Sequence, residues 1–133
     1  MNSFWNKNID LFNQRFPELS KSLEAKKSDD LVLEEGKNGT VTAKYNCLLL
    51  HSKYNPVKEA ETLISSFDPK NHDTVIFLGF GLGYGPIEFA KKHPDATMIL
   101  VEKDPSRFFY AIDVLDWSDV FKHKKIIILQ GFA

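Results

Sequence analysis

Thr74-Val75-Ile76-Phe77-Leu78-Gly79-Phe80-Gly81-Leu82-Gly83-Tyr84-Gly85 is the stretch that decides the fold of this chain. An unbroken apolar run leads straight into glycines at alternate positions. A short apolar run bounded by glycine reads as a strand buried in a sheet. Glycine at its end lets the chain turn sharply and leaves helix N-terminal N–H groups facing whatever lies above the strand. The alternation continues downstream. Ile87 to Lys92 is helical and stops before Pro94, and Thr97 to Glu102 is a second strand. Asp104-Pro105 caps a helix whose Phe108, Ala111, Ile112 and Leu115 face inward; a helical turn covers Trp117 to Phe121, and Ile126 to Leu129 is a third strand. Apolar strands joined by helices indicate a parallel sheet covered on both faces. The order β-α-β-α-β is one half of a doubly wound fold.

Upstream, Trp5, Ile9, Phe12, Phe16, Leu19 and Leu23 recur at helical spacing and draw one apolar stripe. Pro17 interrupts it, and because proline suits the first turn of a helix, the stripe divides into two helices, about 3–15 and 17–27. The period then changes to that of a β-hairpin: Leu31 to Leu33, the reversal Gly36-Lys37-Asn38-Gly39, and the alternating run Thr40 to Tyr45. Asn-Gly supplies the positive φ values of a tight reversal. Cys47 to Leu50 offers a further short strand, with Cys47 read as a buried structural thiol. Asn55 then stands as an N-cap with Pro56 at the first helical position, and Val57, Ala60, Ile64 and Phe67 mark the inner face of a helix that stops near Pro69. The chain is therefore of the α/β class. N-terminal helices and a β-hairpin (1–70) precede half of a Rossmann-like parallel sheet (71–133), together one domain of three-layer αβα type.

Composition narrows the function classes. In 133 residues, 17 basic side chains face 18 acidic ones and no Lys/Arg run exceeds two, so nothing attracts a phosphate polymer or an anionic membrane surface. Nucleic acid is not an expected partner. One cysteine and four scattered histidines give no metal-ligand spacing, so no metal is expected. The opening MNSFWNKNID lacks the basic and apolar regions of a secretory signal, and no apolar run reaches the 18 or so residues of a membrane span. A cytoplasmic location is expected.

The glycine loop carries the chemistry. Its spacing departs from the dinucleotide fingerprint G-x-G-x-x-G, because Tyr84 or Pro86 stands where the third small residue belongs, and no Gly-Lys-Ser/Thr of a phosphate-binding loop follows. Gly79-x-Gly81-x-Gly83 instead resembles the first motif of class I S-adenosylmethionine methyltransferases. Glu102, 21 residues beyond Gly81 at the end of the next strand, fits an acceptor for ribose hydroxyls. One departure is Phe77, where such enzymes often carry an acid. Two readings therefore stand: a nucleoside site formed by Gly79, Gly81, Gly83, Tyr84, Gly85 and Glu102, taking S-adenosylmethionine or a nucleotide, or a turn whose glycines serve packing alone. Tyr84 either stacks on a base or packs under the loop. His51 and Glu59, before and within the first turns of a helix, are candidates for ligand contact. Neither a catalytic triad nor a G-x-S-x-G elbow occurs, so the catalytic residues stay unnamed.

Four segments in order resemble the N-terminal region of the motility accessory factor family. These are Phe12-x-x-x-Phe16-Pro17-x-Leu19, Leu50-His51-Ser52-Lys53-Tyr54-Asn55-Pro56-x-x-Glu59-Ala60, Leu78-Gly79-Phe80-Gly81-Leu82-Gly83-Tyr84 and Val101-Glu102-Lys103-Asp104-Pro105. The resemblance implies a bacterial cytoplasmic protein that modifies flagellin with a sialic-acid-like nonulosonic sugar before export. It also implies transferase chemistry in a central domain, similar to archaeal pterin pyrophosphokinases, outside these residues. The chain then reads as a piece of a longer protein, with the remainder of that chain and flagellin as partners. Half of the crevice at the strand ends is missing unless the N-terminal strands or a second chain supply it, so a homo-oligomer is also open. Three functions compete: an accessory domain of a flagellin glycosyltransferase, a small-molecule methyltransferase, and a non-catalytic interaction module.

Overall fold

A computed structural model describes residues 3–22, 31–45, 48–52 and 54–130. Two helices open the chain, α1 (Trp5–Arg15) and α2 (Pro17–Ser22), divided at the proline as read. Strands β1 (Leu31–Glu35), β2 (Val41–Tyr45) and β3 (Leu48–Leu49) form an antiparallel sheet in that order. Leu31 pairs with Tyr45 and Glu35 with Val41. The reversal differs from a tight two-residue turn. The chain makes one 3-10 turn over Lys37–Gly39, with Gly39 at φ 71°, and the Gly36 N–H closes it on the Thr40 carbonyl at 2.6 Å. Cys47 and residues 23–27 of the second expected helix lie outside the described residues.

Helix α3 (Pro56–Ser65) starts where the sequence signals it: Asn55 Oδ1 accepts the Lys58 N–H at 3.0 Å, and Pro56 occupies the first turn. The second half of the chain alternates as β4 (Thr74–Leu78), α4 (Tyr84–Lys92), β5 (Thr97–Glu102), α5 (Pro105–Val114), α6 (Ser118–Phe121) and β6 (Ile126–Gln130). The three strands are parallel in the order β4-β5-β6, with Ile76 level with Ile99 and Ile127, and Leu78 level with Val101 and Leu129.

The α/β class, the hairpin and the β-α-β-α-β half-sheet stand as read, but the covering of the sheet differs. Connections between parallel strands are right-handed, and here both step the same way across the sheet, which puts α4, α5 and α6 on one face. Met98, Leu100 and Ile128 on that face are buried. On the other, Ile76 is 56% exposed, Leu78 80%, Ile127 47% and Leu129 45%. Among the described residues no second helical layer covers it. An apolar run signals that a strand prefers burial, not that a cover is present in the same segment.

Behind the covered face sits an aromatic core. The Phe12 ring of α1 lies 5.1 Å from Phe108 and 5.6 Å from Phe121, and Trp117 stacks on Phe121 at 5.8 Å. A second cluster joins the hairpin to the helices through Leu31, Val41, Ala43, Ala60, Leu82, Tyr84 and Val114. One polar side chain serves as a clamp inside the core. Fully buried Asn8 donates from Nδ2 to the carbonyls of Ile112 and Leu115, each at 2.7 Å, and accepts the Trp117 N–H at 3.0 Å. These bonds satisfy the backbone at the end of α5 and fasten α1 to it. Asn8→Ala leaves those groups unpaired in an apolar setting, where each costs roughly 1–3 kcal/mol. Urea unfolding of the variant is expected to show a loss of about 3 kcal/mol; a loss under about 1 kcal/mol is incompatible with the clamp.

Candidate functional site

The loop between β4 and α4 sits at the C-terminal end of the sheet, where open α/β sheets bind ligands. Its first N–H, of Gly79, still belongs to the ladder and donates to the Val101 carbonyl at 2.8 Å. The chain then turns back on itself, with the Gly83 N–H bonded to the Phe80 carbonyl at 2.9 Å, and α4 begins at Tyr84. Gly79, Gly81, Tyr84 and Gly85 border a cleft of about 250 Å³ whose other wall is α3 and the segment before it. His51 and Glu59 line the same cleft, so the structure brings these two together with the glycines. Gly83 and Glu102 are not among its lining residues.

Two of the glycines make room for rings of the chain itself. Gly81 adopts φ +57°, and a Cβ there would overlap the His51 imidazole. Gly83 adopts φ +106°, and a Cβ there would overlap the indole of Trp117. Both contacts are hydrogen-bonded. The Leu82 N–H donates to His51 Nε2 at 2.8 Å, and Trp117 Nε1 donates to the Leu82 carbonyl at 3.2 Å. An Nε2 that accepts is unprotonated, so His51 carries its proton on Nδ1 and is neutral. Burial drives its pKa below the usual histidine value, against the opposing pull of the Glu59 charge. The His51 carbonyl in turn accepts the Thr42 hydroxyl at 2.8 Å, which ties the segment to β2.

Tyr84 packs under the loop. It is buried, its ring meets His51 edge-on at 5.0 Å, and its hydroxyl donates to the Val41 carbonyl at 2.6 Å. Burial raises its pKa. Glu59, on the exposed side of α3, accepts the Ser52 N–H at 3.2 Å through its carboxylate and so braces the loop that carries His51.

Glu102 ends β5 as predicted and is buried. Its carboxylate accepts the Asp104 N–H at 3.1 Å and the N–H of Phe80 in the glycine loop. Burial raises its pKa, while these bonds and the Arg107 charge pull it down. Two of the carboxylate's acceptor sites are thus engaged by backbone within the chain. Asp104 caps α5 by accepting the Ser106 N–H at 3.0 Å. Among the described residues no group of three or more His, Cys, Asp or Glu could hold a metal ion, and no helix is long and apolar enough to cross a membrane.

Trp117 is the site residue that sequence reading missed. It follows α5 in a segment too short for periodicity to assign a face, and a lone indole gives no sign of the loop it fills. The apolar wall of Pro56, Ala60, Leu63 and Phe77 shows in the sequence as helix and strand interior only.

Residues 27–126 match the family described as the glycosyltransferase Maf N-terminal domain. A protein of Treponema pallidum (strain Nichols), described as uncharacterized, is 31% identical over 139 residues, covering 96% of this chain and 47% of its own length. Among solved structures, the Maf glycosyltransferase from Magnetospirillum magneticum AMB-1 superposes with a TM-score of 0.73 at 13% identity, over 98% of this chain and 27% of that one. The chain thus spans about half the length of the curated relative and about a quarter of the solved protein.

The His51 contact gives the loop a pH signature. Its pKa is lower folded than unfolded, so its contribution to stability is complete above about pH 6.5 and declines as the pH falls through the lowered folded value, because the unfolded chain takes up the proton first. His51→Gln removes that titration. Unfolding titrations between pH 7.5 and 5 are expected to show the parent losing more stability on acidification than the variant; parallel curves would refute the lowered folded pKa of His51.

Proposed function

The chain belongs to the family of Maf glycosyltransferase N-terminal domains, and from that premise we propose that it is the accessory, non-catalytic part of a longer glycosyltransferase that attaches a sialic-acid-like nonulosonic sugar to flagellin in the cytoplasm before export. The observation that carries the non-catalytic part of this reading is the internal use of the glycine loop. Leu82 N–H is bonded to His51, Leu82 carbonyl to Trp117, Phe80 N–H to Glu102 and Gly83 N–H to Phe80, while Pro86 has no N–H to offer at the start of α4. An anion or nucleoside is held at such a turn by donors that point outward and are unpaired. Here the turn acts as a fastening between β4, β5, α5 and the hairpin. The cleft beside it, of about 250 Å³, has mostly apolar walls. It contains no nucleophile with an adjacent base, as covalent acyl or glycosyl transfer would require. The sugar-transfer chemistry accordingly belongs to the polypeptide beyond this domain, for which the greater length of the matched proteins leaves room.

Two measurements test the reading. Intact-mass analysis of flagellin from a strain lacking the gene is expected to show loss of the nonulosonic-acid increments, and unchanged flagellin would defeat the assignment. Calorimetry of the protein with S-adenosylmethionine and with cytidine nucleotides is expected to give no binding at this loop. Micromolar binding abolished by Glu102→Ala would instead restore the nucleoside site.

A further inference from the structure

The geometry points to the bare face of the parallel sheet as an intramolecular docking surface for amphipathic helices of the polypeptide that follows this domain. The inference rests on the reading of the chain as part of a longer protein. Ile76, Leu78, Ile99, Val101, Ile127 and Leu129 lie in two rows across the three strands, and the sheet register puts all six on the side opposite α4 and α5. Within the three strands no charged side chain shares the face; its polar positions, Thr74 and Thr97, are at the start of the strands. Leu78, at 80% exposure, is the most open of the exposed large hydrophobics. Contiguous aliphatic patches on a folded domain mark surfaces that another element covers.

Three observations choose the occupant. First, the face belongs to a parallel sheet, and such sheets are covered by helices of their own crossovers on both sides. Second, among the described residues β4 pairs with β5 alone, leaving its other edge open for added strands. Crossovers stepping outward from that edge run opposite to those already present, and the same right-handed rule then delivers their helices onto the bare face. Third, the family matched is an N-terminal domain, and the matched proteins are about two and nearly four times the span of this chain, so polypeptide follows the corresponding region in such proteins. A second copy of the chain would have to lay one twisted parallel sheet on another, for which the topology provides nothing.

The test uses the protein made from the whole reading frame, with Cys47→Ser as background and single cysteines introduced as Leu78→Cys, Ile127→Cys or, on the exposed side of α3, Glu61→Cys. Maleimide labelling at 78 and 127 is expected to be at least ten-fold slower than at 61, at a rate independent of protein concentration. Hydroxyl-radical footprinting of the unsubstituted protein provides the same comparison if a variant does not fold, with Leu78 and Ile127 protected relative to exposed Leu63. Labelling at 78 and 127 as fast as at 61 would overturn the docking inference, while leaving the assignment to flagellin glycosylation to the mass analysis. Protection that grows with protein concentration would transfer the face to a second copy and also overturn it, as would a reading frame that closes at Ala133.

Discussion

The handedness of two crossovers governs where the rest of this molecule goes. Because β4, β5 and β6 are laid down in sequence across the sheet, the right-handed rule leaves α4, α5 and α6 no choice of side. The N-terminal half then builds on that layer: α1 packs on α5 and α6 through Phe12 and Asn8, α3 lies against α4, and the hairpin closes the end through Val41 and Tyr84. Among the described residues, the buried apolar side chains of the N-terminal half pack on that side. The bare face opposite is the direct counterpart of this arrangement.

The glycine loop is where these elements meet. It is gripped by His51 from the segment after β3, by Trp117 from the segment after α5, and by Glu102 from the end of β5. A loop with Cβ atoms at positions 81 and 83 would hold neither ring, so the left-handed backbone there serves internal packing. The same alternation of glycines is compatible in sequence with a ligand approaching the backbone. What separates the two uses is the identity of the approaching group, and here the groups that approach are an imidazole and an indole of the chain itself.

Local signals were legible where the physics is local. Asn55-Pro56 announces the start of α3 because the cap and the proline act within one turn, and Asp104-Pro105 does the same for α5. Apolar runs disclosed all three parallel strands, and Glu102 was located at the end of its strand. The covering of the sheet was not legible, since β4 has the same composition whether a helix lies on one face or on both. Nor was the role of Glu102, because a carboxylate at a strand end reads the same whether it accepts from a ribose or from the Phe80 and Asp104 amides. His51 and Glu59 were singled out for their place before and within the start of a helix, and they do meet the glycines in one cleft. The partner that fixes the His51 tautomer, Leu82, is 31 residues away in the chain and left no trace in the local pattern.

The polar end and the apolar face of the sheet therefore have opposite characters. At the strand ends, the N–H groups of Gly79, Phe80, Leu82 and Gly83 are bonded within the chain, to groups that include buried Glu102 and half-buried His51. On the face, aliphatic side chains that the fold usually buries are left in water, each giving up roughly 25 cal/mol for every Å² not covered. Bonds within the chain brace the glycine loop at one end, and an unfinished hydrophobic layer gives the half-sheet something to bind. That combination suits a platform on which another part of a protein is assembled.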